Sequence, residues 1–188
     1  MPEKGSRMVD VLIEYANRIE QETRSLYTAA GYDDIYVVSI TSFPANPVNL
    51  SKLKIPEDHI GRFFFIDGGS TSDITEQEAE QIADIVKDAE SAGNNGANVA
   101  LIMQCDGGIS RSSACAAAAM AYLGQDWKRV FESSCYYPND EVFETVLGAL
   151  EAQAPGWKDI ARDQTGERFD IGYEEDDGLI NRYLWNCE

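Results

Sequence analysis

The sequence predicts an α/β domain with a central, mainly parallel sheet flanked by helices. Three short runs, Ile35 to Ile40 (IYVVSI), Phe63 to Ile66 (FFFI) and Val99 to Met103 (VALIM), have the length and apolar content of buried strands. Amphipathic or alanine-rich stretches with helical spacing lie between and after them. Strands that alternate with helices imply parallel pairing and helices on both faces. At 188 residues the chain is long enough for one such domain with its own core.

Taken in order, Ser6 to Ala30 reads as a helix. Val9, Leu12, Ile13, Ala16, Ile19 and Leu26 recur at helical spacing, and Gly31 follows as a stop. The strand at Ile35 leads to a loop with Pro44 and Pro47. The Phe63 strand ends at Asp67-Gly68-Gly69. Thr75-x-x-Glu78 is a capping box that opens a helix with Ala79, Ile82, Ala83 and Val86 on one face. Gly93 to Gly96 breaks that helix before the Val99 strand. An alanine-rich helix over Ser112 to Leu123 and another over Trp127 to Ser133 come next. Tyr137-Pro138-Asn139 then starts a last helix, with Asn139 as N-cap and Asp140 and Glu141 in its first turn. The resulting division is an N-terminal helix (1–31) packed on a main domain (32–154), followed by an acidic extension (155–188). That extension carries Glu174-Glu175-Asp176-Asp177 and then apolar residues to Trp185, a pattern suited to docking on the domain or on a partner.

Composition narrows the class. Hydrophobic residues make up 44% and aromatics 10%, which is not a disordered composition. The most apolar run, Ala114 to Leu123, is about half the roughly 20 residues a membrane-spanning helix needs. Residues 1–6 lack the basic-then-apolar order of a secretory signal, so a cytoplasmic location is expected. Cys105, Cys115, Cys135 and Cys187 form no CxxC pair, and there is one histidine, His59, in a Pro-flanked loop that reads as surface. No metal or cofactor is expected, and the thiols would be free in a reducing compartment. The formal net charge of −18 should repel nucleic acid and anionic membranes. It fits solubility, a high-salt host, or an acidic face for a basic protein partner.

The chemistry concentrates at one place. A buried strand delivers Cys105 to the carboxyl edge of the sheet, where ligands bind in open α/β folds. Asp106, Gly107, Gly108, Ile109 and Ser110 form a short glycine-rich turn, and Arg111 opens the next helix. Backbone N–H groups of such a turn can make an anion nest, and the helix N-terminus adds about half a positive charge. Arg111 supplies a planar fork that suits two phosphate oxygens. The same field favours the thiolate of Cys105, a nucleophile for phosphoryl transfer. Ser110 or Ser112 can donate a hydrogen bond to that sulfur.

Cys105-x5-Arg111, with Gly108 between and Ser112 after, resembles the signature loop of protein tyrosine and dual-specificity phosphatases, the dual-specificity branch most. The resemblance extends more weakly from Ile35 to Leu150, and its Tyr137-Pro138-Asn139 helix start is similar to that of some bacterial and phage members. It implies a protein tyrosine phosphatase-like fold and a cysteinyl-phosphate intermediate. Cys105 would be the nucleophile, with Arg111 and the Asp106 to Ser110 turn holding phosphate. It also implies a general acid on the loop upstream. Asp67, at the end of FFFI, matches that place, and Asp73 on the same loop is the rival. The chain departs from the family pattern at Gln104, where the family has His, and at Asp106. A carboxylate about 6 Å from the sulfur, at an effective dielectric near 20, would repel a thiolate by about 3 kcal/mol.

Apart from Arg111 the loop carries no basic residue, so the expected substrate is a phosphorylated protein side chain or small phosphomonoester rather than a polyanion. Two other functions fit the residues. One is a pseudophosphatase that binds phosphate and turns over poorly. The other is an acidic interaction protein, such as a DNA mimic, that uses the fold as a scaffold. Cys115, among alanines, reads as a small core residue, with a resolving thiol for Cys105 as the alternative.

Overall fold

The computed structural model describes residues 9–69 and 71–153. Strand β1 (Val9–Tyr15) comes first, followed by the short helices α1 (Ala16–Ile19) and α2 (Arg24–Ala29). Strand β2 (Asp34–Thr41) leads through two single 3-10 turns to β3 (Ile60–Phe64), then to a small hairpin, β4 (Asp67–Gly68) and β5 (Thr71–Ser72). Helix α3 (Glu76–Asn94), strand β6 (Val99–Cys105), and helices α4 (Arg111–Tyr122), α5 (Lys128–Glu132) and α6 (Asp140–Gln153) complete the described chain.

The expected helix over Ser6 to Ala30 is therefore corrected, within the described residues, to a strand and two short helices. Val9 and Val11 are buried and Asp10 between them is exposed, the period of a strand. All seven residues of β1 pair in parallel register with Val99 to Cys105. A seven-residue ladder with Val9 and Val11 buried on one face outweighs a helical spacing that holds for only a few positions. Gly31 stops α2 as expected: its φ of 95° gives the left-handed turn. Gly31 N–H donates to Thr28 and Tyr32 N–H to Tyr27, the paired bonds of a Schellman end.

The sheet is parallel in the order β1-β6-β2-β3. Central strand β6 is buried at every position, as its uninterrupted apolar run requires. On one face α3 and α4 pack on the sheet with α6 behind them, around Val38, Leu101, Met103, Val86, Ala117 and Phe143. The other face is covered by α1, α2 and the Ser51–Leu53 turn, around Ile19, Tyr27, Ile35, Val37, Leu53 and Ile102. In α4, Ala114 to Ala119 are fully buried. With no long side chains there, the helix lies close to β6 and brings its N-terminus near the end of that strand. The capping box forms as expected, with Thr75 Oγ1 accepting from Glu78 N–H.

Strand β3 runs earlier than the expected Phe63 to Ile66, because Ile60 to Phe64 pair with Val37 to Thr41. Phe65 and Ile66 leave the ladder and turn toward the candidate site. His59, expected at the surface, stacks on Tyr36 at 4.0 Å and sits 3.3 Å from Asp34. The proposed acidic extension, 155–188, lies outside the described residues. No described helix is long and apolar enough to cross a membrane.

Candidate active site

All four strands of the sheet end at one edge, because they are parallel. Cys105 closes β6 there, in register with Tyr15 of β1 and Ile40 of β2. Residues 106–110 turn, and Arg111 opens α4. Gly108 has φ 66°, and a Cβ there would lie 2.9 Å from Tyr15 Cβ and 3.1 Å from Tyr15 N. Glycine is required on both counts: the left-handed backbone and the close approach to β1. Tyr137 N–H donates to the Ile109 carbonyl at 3.0 Å. Ser113 Oγ donates to the Ser110 carbonyl at 2.8 Å and also to that of Ile109. The loop's carbonyls are thus held by α4 and the segment before α6. Among the described residues, the N–H groups of Gly107, Gly108 and Ile109 donate no hydrogen bond. They are the open donors an anion nest needs.

Cys105 is 3% exposed and its Sγ lies 3.0 Å from Ser112 Oγ. Ser112, not Ser110, is therefore the hydroxyl at the sulfur. The Arg111 guanidinium is also buried. Its Nη1 donates to the Phe65 carbonyl at 2.8 Å and its Nη2 to Asp106 at 2.8 Å. Its Nε, 4.0 Å from Asp67, has no hydrogen-bond partner, and neither has the buried Ser110 Oγ. Two buried, unpartnered polar groups beside open backbone amides are an unfilled demand for an acceptor.

Asp106 turns its charge on Arg111 rather than standing alone beside the sulfur. Its Oδ2 also accepts from Ser42 N–H at 3.1 Å and Ser42 Oγ at 2.8 Å. Partial burial works against its charge, but the Arg111 and Ser42 hydrogen bonds outweigh that and hold its carboxyl below the usual range. The expected lone negative charge is an ion pair.

The two candidate acids separate. Asp67 Oδ1 accepts from Gly69 N–H at 3.2 Å and from Asn139 Nδ2 at 3.0 Å, and its other oxygen faces Arg111. Asp73 accepts from Ile66 N–H and ties down the backbone of the loop. Asn139 does more than the expected N-cap. Its Oδ1 caps Val142 N–H at 3.0 Å, while Nδ2 reaches the carbonyls of Gly69 at 2.7 Å and Thr71 at 2.9 Å. Fully buried, it fastens the hairpin that carries Asp67 to the start of α6. The signal in the sequence is the choice of Asn: Ser, Thr and Asp also cap, but only an amide caps with its oxygen and offers two N–H donors on a separate atom.

Behind the loop, Gln104 is fully buried and its Oε1 accepts from Ser39 Oγ at 2.7 Å. Its register neighbour on the same face is Glu14, which is 9% exposed. Burial, then repulsion from Glu22, raises Glu14 from 4.5 to about 7 against the pull of Arg18 at 3.2 Å. A carboxyl raised on folding favours the protonated state in the native form. Its cost to stability is absent below about pH 4.5 and grows as pH rises to about 7. Glu14→Gln is thus expected to stabilise the fold at pH 8 by roughly 1–3 kcal/mol and to change little near pH 4. Denaturant unfolding at the two pH values checks this.

Cys105 and Cys115 are free thiols, while Cys135, expected to be free, is disulfide-bonded. Burial foremost, with Cys105 adding to it, pushes the Cys115 thiol far above its usual range, which suits a core residue. No group of metal-ligating side chains occurs among the described residues.

No protein-family model matches the sequence, and no curated protein matches it. Solved structures do. PTPMT1 in complex with PI(5)P aligns at TM-score 0.50 and 12% identity, over 79% of this chain and 94% of that one. The Cydia pomonella PTP-2 phosphatase aligns at TM-score 0.49 and 18% identity, over 74% and 84% of the two chains. Human DUSP28 aligns at TM-score 0.48 and 15% identity, over 76% and 92%. At such identities the likeness speaks to fold alone, and the alignment with PTPMT1 agrees with the parallel sheet and its flanking helices: the chain has a protein tyrosine phosphatase-like α/β fold.

Proposed function

We propose that the chain is a cysteine-dependent phosphatase, hydrolysing phosphomonoesters through a cysteinyl-phosphate intermediate. One observation carries the reading: a buried thiol, hydrogen-bonded to Ser112, opens a loop whose Gly107 to Ile109 amides, Ser110 Oγ and Arg111 Nε have no hydrogen-bond partner. A phosphate group supplies the acceptors those donors lack. In the first step the Cys105 thiolate attacks phosphorus, forming S–P as the ester P–O bond breaks. The proton of Asp67 goes to the leaving oxygen. In the second step water attacks phosphorus and gives a proton to Asp67, and the thiolate leaves with the Ser112 hydroxyl bonded to it. The substrate is a phosphorylated protein side chain or small phosphomonoester, in keeping with a loop whose one cation is Arg111 and a net charge of −18.

Hydrolysis of p-nitrophenyl phosphate over about pH 5–8 tests the acid. Asp67→Asn is expected to lower kcat by about 10²–10⁴-fold, and Asp73→Asn by far less. A larger loss with Asp73→Asn contradicts the assignment of Asp67.

A phosphate-binding pseudophosphatase is the second reading, favoured by the Asp106–Arg111 pair at 2.8 Å. A carboxylate on the guanidinium competes with phosphate for Nη2. Asp106→Asn is then expected to tighten binding of inorganic phosphate by about tenfold, as read by calorimetry. Weaker binding in that variant means that Asp106 orients Arg111 instead of competing for it.

A further inference from the structure

No sequence motif marks Ser42, yet it meets Asp106 twice. Its N–H donates to Asp106 Oδ2 at 3.1 Å and its Oγ at 2.8 Å, and the same oxygen accepts from Arg111 Nη2 at 2.8 Å. One carboxylate oxygen thus serves three donors. Two of the three residues stand on fixed ground. Ser42 follows Thr41, which is buried, closes β2 and is in register with Phe64 of β3. Ile40, two residues before Ser42, is in register with Cys105, which sets Ser42 beside the start of the loop. The Arg111 side chain is 6% exposed, and its Nη1 is tied to the Phe65 carbonyl at 2.8 Å. Asp106 has the most room to move, with its side chain 47% exposed.

We infer that Ser42 is a positioning residue for the proposed phosphatase: it keeps hold of the Asp106 carboxylate when phosphate displaces that carboxylate from Arg111. The inference rests on the reading of Cys105 to Arg111 as a phosphate cradle. A guanidinium grips two phosphate oxygens with the two nitrogens of one edge, and the unpartnered Arg111 Nε shares its edge with Nη2. Nη2 is the nitrogen that Asp106 occupies. Nη1 stays on Phe65, so the fork need not turn and only the carboxylate has to give way. Partial burial works against a charge on Asp106, but the Arg111 and Ser42 hydrogen bonds outweigh it and hold the carboxyl below its usual range. Asp106 is therefore ionised at neutral pH. A carboxylate stripped of its donors beside an incoming dianion opposes binding. The Ser42 N–H and hydroxyl are the donors that remain, and each counts for more once Arg111 has left.

Calorimetry with inorganic phosphate on the full chain tests this in a double-mutant cycle of wild type, Ser42→Ala, Asp106→Asn and the double variant. Ser42→Ala is expected to weaken phosphate binding by about fivefold in the wild-type background. In the Asp106→Asn background no charge is left to hold, and the same substitution is expected to shift affinity by less than about twofold. With p-nitrophenyl phosphate, Ser42→Ala is expected to raise KM by a similar factor and to alter kcat far less, because Arg111 grips ester and transition state alike. Ser42→Thr, which keeps the hydroxyl, is expected to restore the wild-type KM. Phosphate binding that is equal or tighter in Ser42→Ala, or a loss of full size without the Asp106 charge, overturns the role of Ser42 while the cradle stands. Absence of phosphate binding by the wild type overturns the cradle, and the role of Ser42 with it. Should Ser42→Ala fail to fold, the Ser42 amide proton carries the test. Its resonance is expected to move downfield as phosphate is titrated into the wild type and to stay in place in Asp106→Asn. An unmoved resonance in a wild type that binds phosphate overturns the role of Ser42.

Discussion

Cys105→Ser lowers the kcat for p-nitrophenyl phosphate by about 10⁴–10⁶-fold, while inorganic phosphate still binds. The two halves of this expectation come from different atoms. The sulfur forms the bond to phosphorus, and a serine hydroxyl in its place holds its proton far more tightly. The proposed cradle draws on the Gly107, Gly108 and Ile109 amides, Ser110 and Arg111, at none of which the substitution is made. Ser112, 3.0 Å from the sulfur, is positioned to stabilise the thiolate as it leaves. Parallel measurement of turnover and phosphate affinity separates a lost nucleophile from a collapsed loop. Turnover that survives the substitution contradicts the mechanism.

Arg111→Lys has the next largest effect, with kcat/KM falling by about 10³-fold and phosphate affinity falling with it. A lysine keeps the charge and loses the fork. The present guanidinium meets Phe65 O, Asp106 Oδ2 and the Asp67 side with separate nitrogens, and a single ammonium cannot serve all three. The Phe65 carbonyl is then left short of a donor, so stability falls by about 1–3 kcal/mol. Phosphate titration, steady-state kinetics and denaturant unfolding read the three effects independently. Retention of near wild-type kcat/KM would mean that Arg111 is a structural strut and no part of the cradle.

Legibility followed sequence distance. The Cys105 to Arg111 loop was readable because strand, turn and helix are contiguous and each residue type has a local reason to be there. The β6 run was readable because a strand buried on both faces leaves an unbroken apolar signature. Strand β1 has a helical spacing in the sequence. Its alternation is short, and the partner that decides it, Val99 to Cys105, lies some ninety positions on. The charge on Asp106 was visible, but not its neutralisation, which draws on Ser42 from 64 residues away as well as on Arg111. The work of Asn139 on the hairpin spans 68 to 72 residues, so only its local capping role could be seen.

Asp67→Asn offers the most direct test of the central claim, because it slows water attack on the intermediate as well as leaving-group protonation. Rapid acid quench after mixing with p-nitrophenyl phosphate, followed by mass analysis of the peptide containing Cys105, reads the intermediate itself. The account predicts one phosphoryl group on the Cys105 sulfur in this variant, absent when Cys105 is also replaced by Ser. Hydrolysis with no phosphorylated Cys105 at any quench time, in a variant that binds phosphate normally, would contradict it.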